Sequence, residues 1–219
     1  MQSPRLRYTL RFTFHCITVV SMGLAIWGAR ARQQCHAVSE LQHSGAVILY
    51  DYELQDDSAS PESPIWSSLR TQLGRDWFHD VVAISFVNNW RGATDEDMIW
   101  IAHLQKLRSV TAMRTAPRMK YECRVSDVGL QRLSQLRELE TLQLNGASIT
   151  DAGLCHINSL NHLETLWLED TRVTNAGLTN LNELSSLKEL VLYNTSTTHA
   201  GIESARRDHP ARMIYWTAQ

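Results

Sequence analysis

The chain has 219 residues at 25.0 kDa, a length that allows one to two domains. Hydrophobic residues at 43% and charged residues at 20% are ordinary globular values and exclude a disordered or collagen-like chain. A formal charge of −2 excludes a strongly basic nucleic-acid binder, yet the average hides an asymmetry. Five of the 21 basic residues, Arg5, Arg7, Arg11, Arg30 and Arg32, lie in the first 35 positions, which hold no acid; the other 16 face 23 acidic side chains, a net −7. Four cysteines, Cys16, Cys35, Cys123 and Cys155, form no CxxC pair, so neither a disulfide framework nor a zinc knuckle is indicated.

Residues 1–11 read as a basic tail. From Phe12 to Ala29 runs an eighteen-residue stretch without a formal charge, FTFHCITVVSMGLAIWGA, bracketed by Arg11 and Arg30. As a helix it spans roughly 27 Å, close to the roughly 30 Å hydrocarbon core of a bilayer. Tyr8 and Trp27 suit the two interfacial belts. The stretch is expected to be a single-pass transmembrane signal anchor. A cleaved signal peptide competes, because Ala29-Arg30-Ala31 has the small-x-small form found before cleavage sites; the length and the bulky Trp27 argue against it. A buried core helix is the third reading, and the arginines at both ends argue against it. Three arginines before the run and two after it favour the N-terminus inside, which places the acidic bulk outside the cytoplasm.

Residues 30–62 are expected to hold a juxtamembrane helix, a short strand and an acidic linker. Val38 and Leu41 share a helix face over 31–44, and Gly45 is a plausible C′ stop. AVILYDY (46–52) is β-like, and DYELQDDSASPESP (51–64) is acidic and rich in Ser and Pro. Over 63–80 a capping helix is predicted. Ser63-Pro64 forms its start, Ile65, Trp66, Leu69 and Leu73 its apolar face, and Gly74 its stop.

From 81 to 219 the chain is self-similar. Leu139, Leu142, Leu144, Ile149, Gly153 and Leu154 recur 24 positions on as Leu163, Leu166, Leu168, Val173, Gly177 and Leu178, and again as Leu187, Leu190, Leu192, Thr197, Gly201 and Ile202. Two longer upstream copies place strand starts at 81 and 107, with the others at 139, 163, 187 and 211, giving five repeats and a terminal strand. In L-x-x-L-x-L the leucines point inward by strand alternation. Ser126, Thr150, Thr174 and Thr198 stand at helix N-caps, and Asp127 and Asp151 add favourable charge there. The recurring glycines 129, 153, 177 and 201 predict close backbone approach or an unusual backbone angle. Leu133, Leu136, Ile157, Leu160, Leu181 and Leu184 supply the helix side of the core.

The stretches LETLQLNGASIT and ITDAGL, over roughly residues 81–216, resemble the leucine-rich-repeat family, in its cysteine-containing, ribonuclease-inhibitor-like branch. The Arg-flanked span followed by ARQQCHAVSELQHSGAVILYDYE is also similar to certain membrane-anchored bacterial repeat proteins. The resemblance implies an α/β right-handed solenoid, with parallel strands on a concave, protein-binding face and short helices on the convex side. There are departures. Ala147, Thr171 and Thr195 replace the Asn or Cys of many repeats, which points to a weaker Thr ladder. No F-box-like region precedes the repeats, so a ubiquitin-ligase role is not implied.

Motifs for catalysis (GxSxG, HExxH, a phosphate loop) are absent, and no enzyme activity, cofactor or metal is expected. Cys155-His156 falls in a repeat helix, where a small buried thiol is the simpler reading. Asp95-Glu96-Asp97 suits a helix N-terminus, and the nine histidines show no ligand set.

Threading the register gives one outward column Ser85, Thr111, Gln143, Trp167, Val191, Tyr215 and a second, Asn145, Glu169, Tyr193, Thr217. The expected protein-binding surface is therefore Gln143, Trp167, Glu169, Val191, Tyr193 and Tyr215, with aromatic rings from strands about 4.8 Å apart. A secondary patch is expected where insertions emerge: Trp90, Arg91, Arg114, Arg118, Lys120, Tyr121 and Arg124. The expected function is a membrane-anchored, noncatalytic interaction module for a protein partner not named by the sequence, with bilayer contact through 12–29 and no nucleic acid. The alternatives are a self-associating structural protein of the envelope and an accessory binder of a peptide or carbohydrate.

Overall fold

The computed structural model describes residues 4–54, 79–87, 92–112 and 123–217. The chain opens with helix α1 (Pro4–His43), which runs unbroken through the charge-free stretch. Among the described residues no helix is long and apolar enough to cross a membrane. From Thr18 to Trp27 the α1 side chains are exposed, including Val19, Val20, Met22, Leu24 and Ile26. Beyond that point one face goes inward: Ala31, Gln34, Ala37, Val38 and Leu41 are buried, a spacing of three and four that marks a single helix stripe.

α1 ends where the sequence predicts. The amide of Gly45 donates to Gln42 O (3.0 Å) and that of Ala46 to Leu41 O (2.9 Å), the paired bonds of a Schellman stop. Gly45 has φ +86°, the left-handed angle that such a stop needs and that glycine adopts without steric cost.

Among the described residues seven strands form one sheet in chain order. They are β1 (Val47–Tyr50), β2 (Val81–Ser85), β3 (Ser109–Ala112), β4 (Thr141–Leu144), β5 (Thr165–Trp167), β6 (Glu189–Leu192) and β7 (Met213–Trp216). β1 pairs antiparallel with β2, and every later neighbour is parallel. Helices α2 (Asp95–Ile101), α3 (Asp127–Leu133), α4 (Asp151–Leu154), α5 (Asn175–Asn180) and α6 (His199–Asp208) connect the parallel strands. This is a leucine-rich-repeat-like α/β architecture.

The core is the predicted one. Leu142, Leu144, Leu166, Leu168, Leu190 and Leu192 are fully buried, as are Leu133, Leu136, Leu160 and Leu181 on the helix side. Each contributes about 1.5–3 kcal/mol relative to an exposed leucine. Strand starts differ from expectation after the first, lying at 109, 141, 165, 189 and 213. The leading leucine of each motif belongs to the turn before the strand instead. Leu107, Leu139, Leu163 and Leu187 donate to Leu104, Leu136, Leu160 and Leu184 O at 3.0–3.2 Å, and a turn amide used in this way is lost to the ladder. In the last copy that leucine is replaced by Ala211, which is exposed. The neighbouring Arg212 goes inward and donates to Leu187 O (3.2 Å), Leu181 O (3.2 Å) and Leu184 O (2.9 Å), carbonyls of the turn that precedes β6. Burial lowers its pKa.

The N-terminal end of the stack is closed by the lower half of α1 and by β1. Gln33 Nε2 meets His103 Nδ1 at 2.9 Å, the His36 and Trp100 rings lie 4.8 Å apart, and Arg30 pairs with Asp80 at 2.9 Å. The capping helix expected over 63–80 lies, up to 78, outside the described residues, as does the linker from 55 onward.

Candidate functional site

Two faces of the solenoid carry side chains that are not simply core. On the helix side each helix begins at a predicted cap. The hydroxyls of Ser126, Thr150 and Thr174 accept from Val128, Ala152 and Ala176 N at 3.2–3.3 Å, while Thr198 accepts from Gly201 N at 3.3 Å. Thr94 forms a full capping box with Asp97.

The first helical residue of each of the first four repeats has a second role that the sequence reading missed. Asp95 accepts from the amide and hydroxyl of Ser126, at 2.7 and 2.6 Å. Asp127 takes the same pair from Thr150 (2.8 and 2.7 Å), and Asp151 from Thr174 (2.8 and 2.6 Å). In the fourth rung Asn175 Oδ1 accepts from Thr198 N (2.9 Å), and its Nδ2 donates to the Thr198 hydroxyl (2.8 Å). An Asp or, in the fourth rung, an Asn therefore ties its own helix to the cap of the next. The recurring glycines follow from this. A Cβ on Gly129, Gly153, Gly177 or Gly201 would fall inside 3.0 Å of the side-chain oxygen of Asp95, Asp127, Asp151 or Asn175. None of the four has a positive φ, so close approach is the reason. The signal was present in the sequence as a hydroxyl residue, then Asp or Asn, then x-Gly, at 126, 150 and 174, but only the stacking joins residues of different copies.

The opposite face is the sheet surface. The predicted column is observed without a slip: Ser85↔Thr111↔Gln143↔Trp167↔Val191↔Tyr215. Gln143 and Trp167 are half-buried. Val191 is a correction. Expected at the surface, it is 4% exposed, because it lies between the much larger Trp167 and Tyr215 of the adjoining strands. Asn145 is likewise buried, and its Oδ1 accepts from Glu169 N at 3.3 Å.

Tyr193 and Tyr215 are exposed at 37% and 42%, as is Met213 at 54%, whose Sδ accepts from the Tyr215 hydroxyl at 3.8 Å. Glu169 is half-buried, and burial, then the nearby Asp170, raises its pKa. The indole nitrogens of Trp167 and Trp216 are shielded without an acceptor among the described residues. An unmatched buried donor costs about 1–3 kcal/mol. Both lie in the aromatic part of the sheet, where the Trp216 ring is 6.0 Å from His199.

The turns after the strands also keep the period. Gly146, Asp170 and Asn194 have φ values of +78°, +56° and +53°, and Asn194 Nδ2 donates to Asp170 Oδ1 at 2.5 Å. The expected Thr ladder is not formed. Thr171 and Thr195 donate to Leu168 and Leu192 O within their own repeats (2.8 and 3.0 Å), because a threonine is too short to reach the next turn.

In the secondary patch, Trp90, Arg91, Arg114, Arg118, Lys120 and Tyr121 lie outside the described residues. Arg124 is exposed, and its amide donates to Ala93 O at 2.8 Å. Cys155 is exposed rather than buried, since its helix turns it away from the core, with Sγ 3.8 Å from Asp151 O. Cys123 is the buried thiol, and burial pushes its pKa up to about 11, leaving it protonated and unreactive at neutral pH. Asp95 and Asp97 are engaged in the cap bonds above. Among the described residues no group of three or more His, Cys, Asp or Glu side chains could hold a metal ion.

No family model and no curated protein matches the chain. Solved structures similar to it include internalin inlF of Listeria monocytogenes, with 19% identity over 63% of this chain and 42% of that one at a TM-score of 0.45. A leucine-rich-repeat protein of Leptospira interrogans shares 18% identity over 52% and 32% at 0.36, and internalin C2 of Listeria monocytogenes 20% over 61% and 70% at 0.35. The chain spans less than half the length of the first two.

Proposed function

We propose that this chain is a membrane-anchored, noncatalytic interaction module that takes a protein partner on the C-terminal part of its sheet surface. The observation that carries the reading is the contrast along that surface. Ala83, Ser85, Ser109, Thr111, Thr141 and Gln143 are small or polar, whereas the C-terminal strands add the large Trp167, Tyr193, Met213 and Tyr215 beside Thr165 and Glu189. Exposed tyrosines and tryptophans with few rotatable bonds make favoured contact centres. No helix among the described residues is long and apolar enough to cross a membrane, so anchoring rests on the sequence, through the charge-free run 12–29, and on the solvent-facing Val19, Val20, Met22, Leu24 and Ile26, which water would disfavour. The arginine balance supports a repeat domain outside the cytoplasm.

Self-association has less support. β7 is a sheet edge, yet Arg206 Nη2 donates to the outward carbonyl of Ile214 at 3.1 Å and so blunts strand addition. The test places a photo-crosslinker at Tyr215 or, as control, at Ser109 in the full chain within its own membranes. One discrete adduct from Tyr215, lost with Tyr193→Ala and absent from Ser109, is the expected result. Equal adducts from both positions overturn the assignment, and an adduct of twice the chain's mass replaces it by self-association.

A further inference from the structure

A polar groove of about 660 Å³ lies on the edge where α1 leaves the body. Arg30 of α1 lines one side. Gln105 and Lys106, from the loop after α2, and Ser134, Gln135, Arg137 and Glu138, from the loop after α3, line the rest. Three cations thus meet one carboxylate. Two of the cations already have partners, Arg30 in Asp80 (2.9 Å) and Lys106 in Glu138. Arg137 is exposed and has no ion pair or side-chain hydrogen bond among the described residues.

Position decides what such a groove meets. Arg30 directly follows Ala29, the last residue of the run proposed to span the bilayer, and each helical residue advances about 1.5 Å. On that reading Arg30 stands at the level where hydrocarbon gives way to headgroups, a zone roughly 5–8 Å deep in each leaflet. Anything sharing a groove with Arg30 is held at that level, because α1 continues unbroken into the buried stripe Ala31, Gln34, Val38 and Leu41.

We infer that this groove seats the phosphate headgroups of anionic phospholipids, with Arg137 as the free anion contact and Arg30 and Lys106 flanking it. This rests on the membrane reading of residues 12–29. Glu138 opposes the seat. The Lys106 ammonium bonded to it holds its carboxyl below the usual carboxylate range, so it stays charged and occupies Lys106. Neutralising Glu138 releases Lys106 and strengthens the seat, whereas neutralising Arg137 weakens it. Each cation near an anionic surface is worth roughly fivefold in affinity.

The test uses the full chain in lipid nanodiscs of phosphatidylcholine alone or mixed equally with phosphatidylglycerol, read by hydrogen exchange in the loops around 105 and 137. Exchange there should slow roughly fivefold in the anionic discs, less with Arg137→Gln and more with Glu138→Gln, while strands β4–β6 stay unchanged in all. Two outcomes overturn the inference while leaving the anchor intact: disc-bound protein whose loops exchange alike in both lipids, or slowing reproduced by inorganic phosphate on neutral discs. Protein that elutes apart from both discs overturns the anchor and the groove together.

Discussion

The helix-side ladder and the sheet surface are built from the same 24-residue period, and they use it in opposite ways. Along the ladder, Asp127, Asp151 and Asn175 and their glycines hardly vary from copy to copy. Along the surface, Gln143, Trp167, Val191 and Tyr215 hold equivalent strand positions and differ at every step. A position that must satisfy its neighbour's cap has one chemical solution. A position that faces outward has many, so variation there is open to recognition.

Five variants break or sharpen this contrast. The largest effect is expected for Gly153→Ala, whose new Cβ displaces Asp127 and breaks both of its bonds to Thr150; about 3 kcal/mol should be lost in chemical denaturation. Gly146→Ala is its control: no atom lies within 4 Å and only the φ of +78° resists, so about 1–2 kcal/mol is expected. A larger loss at 146 than at 153 would remove the close-approach explanation. Asp151→Asn should cost about 1 kcal/mol by the same measurement, because the chain already uses an amide in the rung at Asn175.

On the other face, Tyr193→Ala with Tyr215→Ala should change stability by less than about 1 kcal/mol in total while abolishing the partner adduct. The smallest effect concerns pH. Because Glu169 has a raised pKa, the folded chain takes up a proton before the unfolded chain does. Stability therefore rises as pH falls from neutral through the raised value, and levels off below the ordinary value of 4.5. Glu169→Gln should remove that rise and leave the chain slightly more stable at neutral pH, as read by denaturation at neutral pH and near 4.5.

Much of the fold was legible because its rules are local. Strand alternation put Leu142 and Leu144 inside, hydroxyl chemistry put Thr150 and Thr174 at caps, and Gly45 announced the end of α1. The site was legible in register and less so in exposure. Val191 and Asn145 point where the pattern said, yet they are covered by larger neighbours from adjoining strands. Cys155 was misread because a helix turns a residue toward or away from the core within a step or two. Arg212 was missed because its value lies in three carbonyls contributed by the preceding repeat.

The amino-acid order alone determined the period, the inward rows and the cap positions, since each depends on residues within one copy and on fixed backbone geometry. The tertiary structure decided which copy's acid binds which neighbour's cap and why glycine must face it. It also decided that α1 and β1 close one end of the stack, and which outward residues remain in contact with solvent. Those outcomes depend on distances between copies, and a one-dimensional pattern carries spacing along the chain but not the separation across it.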